Sequence, residues 1–113
     1  MGVTIYHNPR CSKSRQTLAL IEEKGVKPEV IEYLDTPPSQ QTLKEIVGKL
    51  KIDARDLVRK KEAKEAGLDI ASMSDTQVIK AMADHPAIIE RPIVVKGAKA
   101  VLGRPPENVL ALL

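Results

Sequence analysis

Cys11 is the only cysteine in the 113-residue chain, and it stands where an apolar, β-branched stretch gives way to a helical pattern. The local sequence is Val3-Thr4-Ile5-Tyr6-His7-Asn8-Pro9-Arg10-Cys11-Ser12-Lys13-Ser14-Arg15. A thiol at such a junction lies near the free backbone N–H groups of a helix N-terminus, which stabilise negative charge. Arg10, Lys13 and Arg15 add cationic side chains, and His7 adds another when protonated. These influences favour the thiolate, which is the nucleophilic form. The same amides and cations would hold an oxyanion beside the sulfur. Ser12 and Ser14 carry hydroxyls able to donate to sulfur or oxyanion, although serine is also common in any first helical turn. The competing reading of a lone cysteine is a small buried hydrophobe. Three basic residues within four positions, in a loop between two elements, favour reactivity instead.

The elements that would position this loop follow from periodicity. Residues 3–7 read as a short strand, and a helix follows from about 12 to 24 with Ser14, Leu18 and Ile21 on one face and Gly25 as its stop. Residues 29–34 read as a second strand. Thr36-Pro37-Pro38-Ser39 then breaks the chain, with Ser39 a candidate N-cap for a helix bearing Leu43, Ile46, Val47 and Leu50 at i, i+3, i+4 and i+7. Residues 53–60 suggest a short helix and 61–73 a loose stretch around Gly67. Ser74-Asp75-Thr76-Gln77 matches a capping box that opens a helix ending before Pro86. His85, at that helix end, is read as structural. Residues 91–96 read as a strand, Gly97 as a turn into a second run from Ala98 to Leu102, and Arg104-Pro105-Pro106-Glu107 as the start of a closing helix. The order β-α-β-α, helical insert, β-β-α is that of an α/β (α+β, mixed-sheet) thioredoxin-like fold. A single domain over 1–113 is expected, with a helical insertion at about 53–85 before the third strand.

Composition bounds the function. Apolar residues make up 42% and charged residues 29%, as in an ordinary globular protein. No apolar run reaches membrane-spanning length and no signal-peptide core is evident, so a cytoplasmic protein without a membrane partner is expected. One cysteine excludes an intrachain disulfide and any multi-cysteine zinc site, and no metal is expected. Net charge is +3, but the longest basic run, Arg59-Lys60-Lys61, is followed by Glu62 and Glu65. Aromatics are only Tyr6 and Tyr33, so no stacking platform for bases exists and no nucleic-acid partner is expected. A small anionic ligand accounts for the mild basicity.

Several blocks together resemble the glutaredoxin-coupled arsenate reductase family. They are residues 6–15, Tyr33-Leu34-Asp35-Thr36-Pro37-Pro38, Leu57-Val58-Arg59-Lys60, His85-Pro86, Arg91-Pro92-Ile93-Val94-Val95 and Leu102-Gly103-Arg104-Pro105. The resemblance runs from end to end, and the conjunction of blocks is specific where each alone is weak. It implies that Cys11 attacks arsenate and that Arg59, Arg91 and Arg104 bind the oxyanion, and it supports His7 as a stabiliser of the thiolate, a role that the local charge and hydroxyl also suggest for Arg10 and Ser14. Asn8, Ser12 and Pro92 would be structural neighbours of the site, with the bond before Pro92 cis. Guanidinium forks suit a tetrahedral oxyanion because they donate paired N–H groups and stay charged. Read without the resemblance, each arginine is an ordinary solvated surface residue.

The resemblance also implies glutathione as co-substrate, glutaredoxin as partner and no bound cofactor; a monomer is expected. With one cysteine the chain cannot resolve an arsenic adduct by an internal disulfide, so an external thiol has to do so. Three other functions remain open from sequence. Cys11-Ser12-Lys13-Ser14 is a Cys-x-x-Ser pattern like that of monothiol glutaredoxins, which suggests a glutathione-dependent thiol oxidoreductase. Some relatives are redox-linked transcription regulators, typically with a Cys-x-x-Cys pair whose second thiol is replaced by Ser14 here. A partner-binding protein with an inert thiol is the third.

Overall fold

The computed structural model describes residues 2–113. The chain divides into two compact units, one made of residues up to Thr36 together with Arg91–Leu113, the other of Pro37–Glu90.

The first unit contains the sheet. Strands β1 (Val3–His7), β2 (Glu29–Glu32), β3 (Ile93–Lys96) and β4 (Lys99–Leu102) are ordered β2-β1-β3-β4. β1 pairs parallel with β2 and antiparallel with β3, and β3 pairs antiparallel with β4. The sheet is therefore mixed, and the fold is thioredoxin-like with helices inserted before β3. Side chains alternate across a strand, so Val3, Ile5 and His7 of β1 all turn inward. Helix α1 (Ser12–Glu23) packs on that inner face through buried Ser14, Thr17 and Ile21. Thr17 takes the place expected for Leu18, which is only partly buried at the core margin. A threonine is tolerated there because its hydroxyl donates to the Lys13 carbonyl at 2.8 Å. Val3, Ile5, Ile21, Val94, Val109 and Leu112 form the core, each fully buried aliphatic side chain contributing about 1.5–3 kcal/mol. Gly25 ends α1 at φ +76°, a conformation that costs glycine little.

Element boundaries depart from the sequence expectations in three places within this unit. β2 stops at Glu32 rather than residue 34, because the amides of Asp35 and Thr36 turn back onto the Glu32 carbonyl and Tyr33 is buried. β3 begins at Ile93, beyond the cis Arg91–Pro92 peptide. The closing segment Pro106–Ala111 is a 3-10 helix rather than an α-helix; Pro105 and Pro106 supply no amide to its first turn.

The second unit is helical. Helix α2 (Gln40–Leu50) is capped by Ser39, whose Oγ accepts from the Thr42 amide at 3.1 Å. Helix α4 (Asp75–Asp84) has the expected capping box, with Ser74 and Gln77 bonded reciprocally. Leu43, Ile46, Leu57, Val78, Met82 and Ile88 are buried here. The stretch expected as a helix over 53–60 is instead a 3-10 turn at Ala54–Leu57, followed by α3 (Lys60–Glu65). Two bonds interrupt it: Glu90 N–H donates to Leu57 O, and Arg59 N–H to Ile88 O, both at 2.7 Å. These close a bridge between Val58 and Ile89, which no local helical periodicity announces. Among the described residues, no helix is long and apolar enough to cross a membrane.

Candidate active site

Cys11 is the N-cap residue of α1, with extended backbone (φ −92°, ψ 122°). Its carbonyl accepts the Arg15 amide at 3.0 Å, which starts the helix, and its own amide donates to Asn8 O at 3.0 Å. A serine or aspartate at an N-cap would receive the amides two and three residues on. Here the sulfur occupies that place, and backbone N–H groups of Ser14 and Lys13 point at it. Burial pushes the thiol pKa up, but the Ser14 amide, the Arg91 guanidinium and the Lys13 amide outweigh it, so the net shift is downward. Hydrogen bonds to the charged form and a nearby cation both favour thiolate. Cys11 is half-buried and free, so the thiolate is reachable.

The loop before Cys11 is fixed by side-chain bonds rather than by regular structure. Asn8 Oδ1 accepts the Arg10 amide at 3.0 Å, and Arg15 Nη1 donates to the Pro9 carbonyl at 2.8 Å. Ser14 Oγ accepts the Asn8 amide at 3.0 Å and lies 2.6 Å from His7 Nδ1. A hydroxyl that accepts at one lone pair still has its proton to give. With His7 neutral, that proton suits Nδ1 and leaves the ring proton on Nε2. Burial lowers the His7 pKa, Glu32 opposes this and Arg15 adds to it, for a net downward shift. His7 is thus neutral at pH 7 and serves the site as a hydrogen-bond partner rather than as a cation. The Ser14 hydroxyl is committed to His7 and Asn8, and its amide to Cys11. Ser12 is exposed at the first helical position.

Arg91 is the side chain the fold brings to the thiol, donating a hydrogen bond and adding charge. It arrives from the segment entering β3 and precedes buried Pro92, to which its peptide bond is cis. Arg104 Nη1 donates to the Arg91 carbonyl at 3.3 Å, so these two arginines are neighbours. The Arg104–Pro105 bond is also cis. Arg59 belongs to the helical unit, where its Nε and Nη1 each lie 2.9 Å from a carboxylate, Glu62 and Glu90 respectively. Burial would lower its pKa, but both carboxylates raise it and prevail.

Two supports of the site were not read from sequence. Gly103 has no room for a side chain: an added Cβ would press on Thr17 and come within 2.7 Å of Pro92 Cγ. Its amide donates to Pro92 O at 2.9 Å. Arg15, read as one more cation near the thiol, instead anchors the Pro9 carbonyl. Among the described residues, no group of three or more His, Cys, Asp or Glu is placed to hold a metal ion.

The ArsC family model matches residues 6–112, spanning the cysteine loop, Arg91-Pro92 and Gly103-Arg104. The chain belongs to the ArsC family. It is 50% identical to a Neisseria meningitidis serogroup A protein named arsenate reductase, over 98% of this chain and 97% of that one. An Escherichia coli K12 relative, the uncharacterized protein YfgD, is 52% identical over 98% of this chain and 96% of its own. Among solved structures, an arsenate reductase from Vibrio cholerae superposes with a TM-score of 0.94 at 50% identity, covering 100% of this chain and 98% of that one. In this ArsC chain the geometry offers an activated sulfur with Arg91 beside it and Arg104 braced against Arg91. That arrangement suits nucleophilic attack on a tetrahedral anion.

Proposed function

We propose that the protein is an arsenate reductase in which Cys11 is the nucleophile. The observation that carries this is the depressed Cys11 thiol at the α1 N-cap, with two amides and the Arg91 guanidinium on the sulfur. Family membership and the names of its relatives support arsenate as the oxyanion. The thiolate forms an S–As(V) bond and expels hydroxide, which leaves as water once protonated. Arg91 and Arg104 offset the anion's charge. Arg59 joins the oxyanion-binding set through the resemblance in motif alone.

No second cysteine exists to displace arsenic, which supports an external thiol as reductant. Glutathione adds to the arsenic and a second oxygen leaves as water. A glutaredoxin thiolate then attacks the glutathione sulfur and forms a mixed disulfide, so that the electron pair of the S–As bond stays on arsenic. Cys11-bound As(III) is hydrolysed to arsenite and free Cys11. Two electrons come from thiols, so the cycle needs no resident cofactor.

The test is a coupled assay with arsenate, glutathione, glutaredoxin, glutathione reductase and NADPH. Arsenate-dependent NADPH loss is expected from the wild type, none from Cys11→Ser, and a fall of about 10²-fold or more from Arg91→Ala, the scale on which loss of one preorganised charge donor acts. Folded wild type without arsenate-dependent turnover would overturn the assignment and leave a glutathione-dependent thiol oxidoreductase.

A further inference from the structure

One cavity in the sheet-bearing unit is not used by the chemistry above. It has a volume of about 280 Å³ and lies between the loop that runs into Cys11 and the end of β2, lined among others by His7, Arg10, Glu32, Leu34 and Asp35. A cavity of that volume has room for several waters or for one amino-acid-sized group. Its charges are mixed: two carboxylates and one guanidinium line the same space. Among the described residues, none of Arg10, Glu32 and Asp35 forms an ion pair. Their charges are therefore available to a ligand. His7 contributes to the same wall; it is 94% buried, being 6% exposed, with Nδ1 taken by Ser14 and Nε2 without a partner among the described residues. Leu34 adds an apolar surface, and at 41% exposure it is one of the chain's few exposed large hydrophobic side chains.

An acceptor pair, a cation and an apolar edge are the complement of an α-amino-acid zwitterion: ammonium, carboxylate and aliphatic stem. Part of the cavity wall is Pro9 and Arg10, the two residues immediately before the nucleophile. The cavity therefore adjoins the loop that carries the nucleophile. We propose that this cavity is the co-substrate subsite: Glu32 and Asp35 take the ammonium of an amino-acid-type thiol, Arg10 takes its carboxylate, and the thiol reaches Cys11. The inference rests on the proposed dependence on an external thiol, and it adds a reason for a zwitterionic thiol over a simple one.

The test omits arsenate. Cys11 is converted to its mixed disulfide with thionitrobenzoate, and the second-order rate of release of the yellow thiolate is followed with different thiols. In this step the incoming thiolate attacks the Cys11 sulfur, the old S–S bond breaks, and thionitrobenzoate leaves with the electron pair. The thiol's proton passes to buffer, and no net oxidation occurs. Glutathione is compared with 3-mercaptopropionate, which has no ammonium. Taking the ratio of variant to wild type for each thiol cancels that thiol's own reactivity. Glu32 and Asp35 are exposed, so Glu32→Gln/Asp35→Asn leaves the fold intact. The double variant is expected to slow glutathione by about three- to tenfold, the scale of two partly solvated ion pairs, while 3-mercaptopropionate is unchanged or faster. An unchanged glutathione rate, or an equal fall for both thiols, would overturn the subsite. Charge discrimination in a protein that fails to turn over arsenate would retire the arsenate assignment alone; arsenate turnover without discrimination would retire the subsite alone.

Discussion

Ser14 does more than its type suggests, because its amide and hydroxyl serve different parts of one site. The amide holds the thiolate, while the hydroxyl joins His7 to the Asn8 amide in a buried setting. Ser14→Ala keeps the first role and removes the second. It leaves two buried polar groups unpaired, a cost of about 1–3 kcal/mol for each such group. Chemical denaturation is expected to show that loss, whereas the ionisation midpoint of Cys11 moves little. A midpoint shift as large as the one from Arg91→Ala would mean that the hydroxyl itself acts on the sulfur. At this scale the sequence was informative about what is local. A cysteine opening a helix, with serine three residues on, is legible from spacing alone. That His7 is neutral was not, because β1's inward register buries it and register is a tertiary fact.

Elements carry the next layer. At Gly103, α1 and the two ends of the β3–β4 hairpin meet, with Thr17 on one side and Pro92 on the other. Thr17 is fully buried and Pro92 is a rigid ring, so neither yields to a new methyl group. Gly103→Ala is expected to cost about 1–3 kcal/mol, as overpacking of a tight core does. A lowered Tm together with slower Cys11 alkylation is the signature, since Pro92 follows Arg91 directly. An unchanged Tm would mean that Thr17 and Pro92 can separate. The helix starts at Ser39 and Ser74 were readable because capping is written within four residues. The bridge between Val58 and Ile89 was not, since its partners are thirty-one residues apart and each looks like an ordinary apolar position. That bridge is why one expected helix became a 3-10 turn followed by α3.

For the whole molecule, the question is how residues scattered along the chain come to act on one sulfur. The element order pointed to a thioredoxin-like sheet, and the mixed sheet β2-β1-β3-β4 is what was found. Arg91 meets Cys11 although eighty residues separate them. Resemblance in motif singled out this arginine; its contact with sulfur comes from the antiparallel pairing of β3 with β1. Arg59 shows the opposite case, an arginine with the same motif support whose guanidinium is shared between Glu62 and Glu90. Charge type was legible in both, partner identity in neither. Activation of the thiol therefore combines the local helix start, through the Ser14 and Lys13 amides, with Arg91, which only the fold brings to the sulfur. Because the chain holds one cysteine, alkylation reports that activation without ambiguity. The pH dependence of iodoacetamide reaction should be measured for folded wild type, folded Arg91→Ala and the urea-unfolded chain. Removing a cation and a hydrogen bond from a thiolate raises its pKa, so the variant's midpoint should lie above that of the wild type. The wild-type midpoint should lie below the ordinary thiol value, which the unfolded chain should show. A folded wild-type midpoint equal to that of the unfolded chain would contradict an activated Cys11, and with it the account of how this site works.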